Sequence, residues 1–473
     1  MANISSPGIG SGLDVQSIVE QLVSLERKPI ENLETAASSI QTQISAYGKV
    51  ASLMSTLRDA AAALNKSTLW QGTTATSADA ASVGVSSTGG AASGSYQVAV
   101  TQLASAHSLA SGLPAFASSS AVVGAGQMTI DLGTWNAGSF TAKSGSTALV
   151  LDFTDPNTTL AQVRDKINAA NAGVTASIVT DANGARLTLT SKATGAENAL
   201  RVQTSGAGFA ALGYDPENGV NALTQTQAAA NAKATINGLA VESASNTLAN
   251  VVEGVTLTLS KLTTSPVAVS VASDTTSIKT AITNFVTAYN ALNAYVNDQT
   301  KYDDSTKTAG SLQGDSTAVG LRNQMRNLLR ESNGASSTFK TLGDIGMTVA
   351  RDGSVTVTAS KLDTALANLP EITKLFTSVD DAVPGNNGLA GRWRSFADGL
   401  TGSEGLLTTR TDGLKASLKR NTAEQDRLEE RITRIQARLL KQYTALDTQL
   451  ASLNSLQSYV SAQMTALAKQ SSS

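Results

Sequence analysis

His107 is the only imidazole in the chain and there is no cysteine, so a catalytic triad or a histidine- or thiolate-ligated metal would have to be built around one residue. No acidic motif stands beside His107, which reads as structural. Two carboxylate pairs, Asp303-Asp304 and Asp380-Asp381, are sequence neighbours. Adjacent side chains do not share a face of a helix or strand, so these read as turn carboxylates rather than metal ligands or general acids. The run Gly8-x-Gly10-x-Gly12 lacks the preceding strand and the spacing of a phosphate-cradling loop, and reads as flexibility for transport or docking. Arg322, Arg326 and Arg330 recur every four residues along one side of a helix. They are either a solvated face or an inter-subunit basic face that meets an acidic patch on a neighbouring subunit. No cofactor, metal or catalytic set is expected, and the chain reads as a non-enzyme.

What the residues do offer is apolar surface at helical spacing. Ile432, Leu439, Leu446, Leu453, Val460 and Leu467 follow one another at an unbroken spacing of seven. Near the other end, Val15, Ile18, Leu22 and Leu25 run in steps of three and four, and Ile40, Ile44, Tyr47, Ala51 and Met54 resume the rhythm after Pro29. Such spacing keeps one apolar stripe on one side of a helix, as a coiled coil or helical bundle requires. Ile18, Leu22, Leu25 and the six residues from Ile432 to Leu467 are therefore the candidate assembly interface. Residues 410–441 carry nine basic and five acidic side chains, whereas in 442–473 only Asp447 and Lys469 are charged. A helix with an apolar stripe and a neutral back has little reason to stay alone in water.

Composition agrees. Of 473 residues 15% are charged, against about 25% in an average globular protein. Net charge is −2, which excludes recruitment of nucleic acid or an anionic membrane by a long-range field. No apolar run approaches the roughly 18 residues of a membrane span, and the first residues lack the basic start and apolar core of a cleaved secretory signal. The expectation is either a cytosolic protein or one exported without a cleaved signal, and no membrane insertion.

The coarse pattern is helix, strands, helix: an α+β multidomain chain whose paired N- and C-terminal helices carry two inserted β-rich head domains. Helix is expected from about 13 to 27, where Pro29 should end or kink it, and again over 30–64. From about 73 to 274 the period is two, as in half-buried strands. There, Val255, Leu257 and Leu259 and then Val267, Val269 and Val271 flank a turn ending in Pro266 and predict a hairpin. Thr159 and Gln162 form a capping-box pattern before a short helix closed by Gly173, followed by a hairpin turning at 181–184. Ile278, Ile282, Phe285, Tyr289, Leu292 and Val296 predict an amphipathic helix opening near Asp274. A helix at about 321–330, a hairpin around Asp352-Gly353, glycine-rich turns over 385–413 and a last helix from about Leu414 complete the reading. The expected domains are a terminal leg (1–43 with 432–473), a helical stalk (44–72 with 275–431), an inner head (73–112 with 228–274) and an outer head (113–227).

Several of these residues resemble one family. Ile4-Ser5-Ser6, Gly8-Ile9-Gly10-Ser11-Gly12-Leu13-Asp14, Ile18-Val19, Leu22, Glu26 and Pro29 are similar to the N-terminus of the bacterial flagellar filament cap family (FliD, hook-associated protein 2). Ile236-Asn237-Gly238, Ser245-Asn246-Thr247, the run from Val251 to Leu257, Leu312-Gln313-Gly314-Asp315, Leu342-Gly343-Asp344-Ile345-Gly346 and Gln442-Tyr443 continue the match in order. The unit over 159–190 resembles a repeat shared by several flagellar axial proteins.

The resemblance implies a structural cap at the distal tip of the bacterial flagellar filament. It would form a homo-oligomeric ring, taken here as a pentamer, under which exported flagellin folds and polymerises and is kept from being lost. It also implies passage through the flagellar export apparatus and channel without a cleaved signal, and an export chaperone on the C-terminal helix. The alternatives are another axial subunit, such as a hook–filament junction protein, and a surface adhesin whose head binds host glycans or mucin.

Overall fold

The computed structural model describes residues 14–113 and 116–470. Its helices are α1 (Val15–Leu64), α2 (Ser67–Trp70), α3 (Leu160–Ala170), α4 (Thr275–Thr300), α5 (Ser316–Arg330), α6 (Ala359–Leu366), α7 (Leu369–Thr377), α8 (Leu389–Thr401) and α9 (Leu406–Gln470). Contacts divide the chain into two units, one from residues up to 67 with those from 278 onward, the other from residues 68–277. The second is thus an insertion into the first. The glycine run at 8–12 lies outside the described residues.

The inserted unit is antiparallel β throughout its pairings and holds two apolar cores. In the first, the strands Thr73–Ser77, Val267–Ser273, Gly94–Gln102, Ala232–Ile236 and Leu239–Ser243 form one sheet in that order. Thr247–Val252, Val255–Leu259 and Val83–Ser87 form a second. Period-two alternation places Val98, Val100, Val269 and Val271 from one sheet and Val83, Val255, Leu257 and Leu259 from the other in a single buried cluster. The hairpin expected across Pro266 does not form. Val255–Leu259 pairs with Thr247–Val252 and Val83–Ser87, while Val267–Ser273 pairs with Thr73–Ser77 and Gly94–Gln102. Both runs are buried, and a buried run satisfies its pattern equally well facing a second sheet as lying beside its sequence neighbour. The link crosses between sheets, held by the Thr263 amide on the Val100 carbonyl (3.1 Å) and the Val100 amide on Thr263 Oγ1 (2.9 Å).

The second core gathers Met128, Ile130, Leu151, Leu160, Val163, Ile167, Leu187, Leu189, Val202 and Phe209. The capping box is present: Thr159 Oγ1 accepts from the Gln162 amide and Gln162 Oε1 accepts from the Thr159 amide. The left-handed residue that ends α3 is Asn171, with Gly173 following at φ +77°. The hairpin after it pairs Val174–Asp181 with Gly184–Ser191 in the expected register. One boundary moves. Ser108–Ser111 pairs with Leu223–Gln227 and Gly184–Ser191, and Leu109 lies in the second core, so this strand belongs with the outer strands rather than with 73–112.

The other unit is helical apart from the hairpins Tyr302–Asp303/Thr308–Ala309 and Met347–Val349/Val355–Val357. Its buried residues include Tyr47, Met54 and Leu57 of α1, Ile278, Ile282, Phe285 and Tyr289 of α4, and Trp393 of α8. The Trp393 ring meets those of Phe285, Tyr289 and Phe396 edge-on, 5.5–5.8 Å between centroids. Four expectations are corrected here. Residues 389–401 form a helix rather than glycine-rich turns: Leu389, Trp393, Ala397 and Leu400 keep a buried stripe, and a Cβ at Gly391 or Gly399 would meet nothing within 4 Å. The last helix begins at Leu406, not near Leu414, and α5 begins at Ser316, not Leu321. Pro29 neither ends nor divides α1, which runs unbroken for 50 residues. Val23 before the proline and Ile30 after it are buried in the same cluster, which holds both halves to one axis at the cost of one backbone hydrogen bond.

Candidate assembly surface

α1 and α9 lie antiparallel. Arg27 is ion-paired with Glu429, and Asn421 Nδ2 donates to the Leu33 carbonyl at 3.0 Å. The apolar seam at the outer end of the pair consists of Val15, Val19, Val23, Ile30 and Ile432, with Leu428, Leu439 and Tyr443 partly buried against it. The N-terminal face that meets α9 within the chain is thus distinct from the stripe of Ile18, Leu22 and Leu25. Ile18 and Leu22 are half-buried and Leu25 is 60% exposed, because the face turned to α9 is the one carrying the three valines and Ile30. Branched Val at steps of four was present in the sequence as the signal for this face.

The C-terminal repeat splits after its second member. Ile432 is 4% exposed and Leu439 half-buried, while Leu446, Leu453, Val460 and Leu467 are 42%, 58%, 51% and 58% exposed. Leu456, Tyr459 and Met464 lie exposed beside them. The distal part of α9 thus presents large apolar side chains to solvent over more than twenty residues, in the segment whose only charges are Asp447 and Lys469. Scattered exposed leucines are ordinary, whereas a continuous stripe on one helix marks an interaction surface.

The arginine series does not act as one face. Arg326 Nη2 donates to the Asp352 carbonyl at 2.8 Å, Arg322 Nη1 reaches Thr300 Oγ1 at 3.5 Å, and Arg330 alone is exposed. Arg322 and Arg326 are thus turned toward their own unit, and Asn293 and Asn297 share the Asp352 carbonyl with Arg326.

In the sequence Asp315 stands out only as the end of the Leu312-Gln313-Gly314-Asp315 motif, and the structure makes it a junction. Its Oδ1 accepts from Tyr47 Oη (2.7 Å) and from the Thr317 and Ala318 amides (2.9 and 3.3 Å), capping α5. Its Oδ2 accepts from Arg410 Nη2 and Nε at 2.7 and 3.2 Å. Burial pushes the Asp315 carboxyl up, but the Tyr47 and Arg410 hydrogen bonds outweigh it and hold the group below the usual carboxylate range. Burial, then the Asp315 hydrogen bond and charge, raise the Tyr47 phenol.

His107 is 1% exposed, its Nδ1 accepting from the Leu200 amide (2.9 Å) and its Nε2 facing Gln225 Oε1 (3.3 Å). Burial lowers its pKa. Asp303 accepts from the Ser305 and Thr306 amides, and Asp380 from the Ala382 and Val383 amides, as turn carboxylates do. Among the described residues no cluster of three or more His, Cys, Asp or Glu could hold a metal ion, and no helix is long and apolar enough to cross a membrane.

Comparison with known proteins places this geometry. Family models described as flagellar hook-associated protein 2 N-terminus and C-terminus match residues 11–107 and 229–455, and the flagellin hook IN motif matches 139–193. The flagellar hook-associated protein 2 of Escherichia coli K12 is 33% identical over 98% of both chains. The A-type protein of that name from Pseudomonas aeruginosa is 32% identical over 96% of both, and that of Salmonella typhimurium LT2 31% over 99% of this chain and 100% of its own. The crystal structure of the D1-D2-D3 domains of the flagellar cap protein FliD from Escherichia coli superposes with a TM-score of 0.61 at 32% identity, covering 78% of this chain and 99% of that one.

Proposed function

The chain belongs to the flagellar hook-associated protein 2 family, and on that footing we propose that it works as a structural cap at the distal tip of the bacterial flagellar filament, on the extracellular side. It associates there with copies of itself and with flagellin, promoting flagellin folding and polymerisation and preventing its loss. The observation that carries this reading in the chain's own terms is the distal stripe of α9. Leu446, Leu453, Val460 and Leu467 are exposed, regularly spaced and nearly free of neighbouring charge. Apolar contacts without fixed ion pairs suit a leg that must release one site and seat in the next.

The finer parts of the reading are proposals. The ring has five subunits. The chain is non-enzymatic and exported through the flagellar channel without a cleaved signal, with a chaperone holding the C-terminal helix before export. The absence of cysteine in the sequence supports that route, since no disulfide has to form or break in transit. The leg is 1–43 with 432–473, the stalk 44–72 with 275–431, and the two heads lie between, with the outer one free to meet host surface glycans. Leu446, Leu453, Val460 and Leu467 make the assembly contact, and Arg330 is the member of the arginine series available to a neighbouring subunit.

Immunogold labelling of intact flagella with antibody to residues 113–227 tests the reading. Gold confined to distal tips, together with flagellin accumulating in the medium of a strain lacking the protein, is the expected result. Gold along the filament or only at its base overturns it.

A further inference from the structure

The Tyr47–Asp315–Arg410 junction joins α1, the start of α5 and the start of α9 through one carboxylate with five donors. Gly314, at φ +74°, supplies the turn that points Asp315 into it. Outward from the junction, none of the described residues 31–45 of α1 or 415–431 of α9 is buried. Burial resumes only at Ile30 and Ile432, the latter about 33 Å along the helix from Arg410. The stretch between holds no fully buried side chain to select one alignment over another.

The apolar repeat leaves one alternative alignment open. Sliding α9 so that Leu439 takes the place of Ile432 brings Ile435, Leu446 and Leu450 to the places of Leu428, Leu439 and Tyr443, so the outer seam stays apolar. The opposite slip brings in Asn421, Gln425 and Gln436 and is excluded. The polar contacts behave differently. The slip that keeps the seam apolar brings Ser417 to Asp315 in place of Arg410. The same slip brings Leu428 to the Leu33 carbonyl in place of Asn421, and Gln436 to Arg27 in place of Glu429. Of these three contacts, only that to Asp315 lies in a buried site, and a buried, fully hydrogen-bonded polar group is the established means of fixing helix register.

We propose that Asp315 is a positioning residue that fixes the axial register of α9 against α1, and through it where the exposed stripe of α9 stands at the tip. The consequence for capping rests on the reading of α9 as a docking leg; the register itself does not.

The cysteine-free chain allows a direct test. Spin labels at Lys28→Cys and Lys415→Cys, both exposed and about 18 Å apart along the paired helix axes, report axial slip of α9 on α1 in the purified full-length protein by electron–electron double resonance. One distance population is expected in the parent. Asp315→Asn and Arg410→Gln should each add a resolved population at longer distance, since a one-heptad slip carries position 415 about 10 Å further along the axis from position 28, while Arg410→Lys keeps the parent distance as the majority. Where Asp315→Asn fails to fold, Arg410→Gln and Tyr47→Phe carry the test. A distribution that only broadens about the parent distance, or stays unchanged in folded variants, overturns the proposal. No filament is involved, so such a failure leaves the capping reading standing.

Discussion

At the scale of single residues, Asp315 does the most for its size, and its effect on stability has a definite pH signature. Its folded pKa lies below the unfolded value, so its contribution is fully present above the unfolded value of about 3.9 and is lost as pH falls through the lower folded one. Replacing Asp315 by Asn should cost about 2–3 kcal/mol in urea unfolding at pH 7, at the lower end for a broken buried pair because the Arg410 side chain is 40% exposed. The gap between parent and variant should hold to about pH 5 and narrow below about pH 4. A gap that widens in acid would assign the stabilisation to another group. Trp393 is the other dominant side chain, fully buried among three rings, and Trp393→Ala should cost about 3–5 kcal/mol in the same assay. Neither role was legible in the sequence. Asp315 sits 268 residues from Tyr47 and 95 from Arg410, and no local pattern records a contact across such separations.

At the scale of elements, periodicity succeeded where one stripe meets one partner and failed where the partner was a choice. The amphipathic run of α4, the capping box of α3 and the hairpin after it are local, and each formed as read. The run from 255 to 271 offered two pairings with the same apolar pattern, and the one taken crosses to a second sheet. In α8 two glycines obscured a buried stripe that packing against aromatic rings makes worthwhile. Pro29 overstated its own effect, since a seam running past it on both sides keeps α1 continuous. Pro29→Ala should restore the hydrogen bond to the Leu25 carbonyl and slow amide exchange in residues 15–30 by about tenfold, read by mass spectrometry on the folded protein. The distal part of α9 predicts a sharper dissociation of effects. Leu453→Ser with Val460→Ser should leave unfolding within about 0.5 kcal/mol of the parent, because both side chains are exposed, yet abolish complementation of swimming in a strain lacking the protein. Full swimming would remove this stripe from the assembly surface.

At the scale of the molecule, the chain leaves a helical unit, builds a β unit and returns. The entry and exit strands of the insertion are partners: Thr73–Ser77 pairs with Val267–Ser273, and the Asp274 amide reaches the Gly72 carbonyl at 2.8 Å. An insertion whose ends meet can close on itself, so residues 68–277 expressed alone should unfold cooperatively, at a midpoint matching one of two transitions of the whole chain. A fragment without a cooperative transition would show that the helical unit is needed to hold it. What the sequence determined by itself was everything carried by short-range repetition. That includes the helical ends, the period-two middle and the seven-residue repeat of α9, because the 3.6 and 2.0 periods reveal a buried face within a few residues. What only the tertiary structure decided was which face meets which partner. It turned Val15, Val19, Val23 and Ile30 inward rather than Leu25, separated two adjacent strands into different sheets, and brought Tyr47, Asp315 and Arg410 to one point. Those outcomes depend on contacts between residues far apart in the chain, where many pairings satisfy the same pattern and packing selects one.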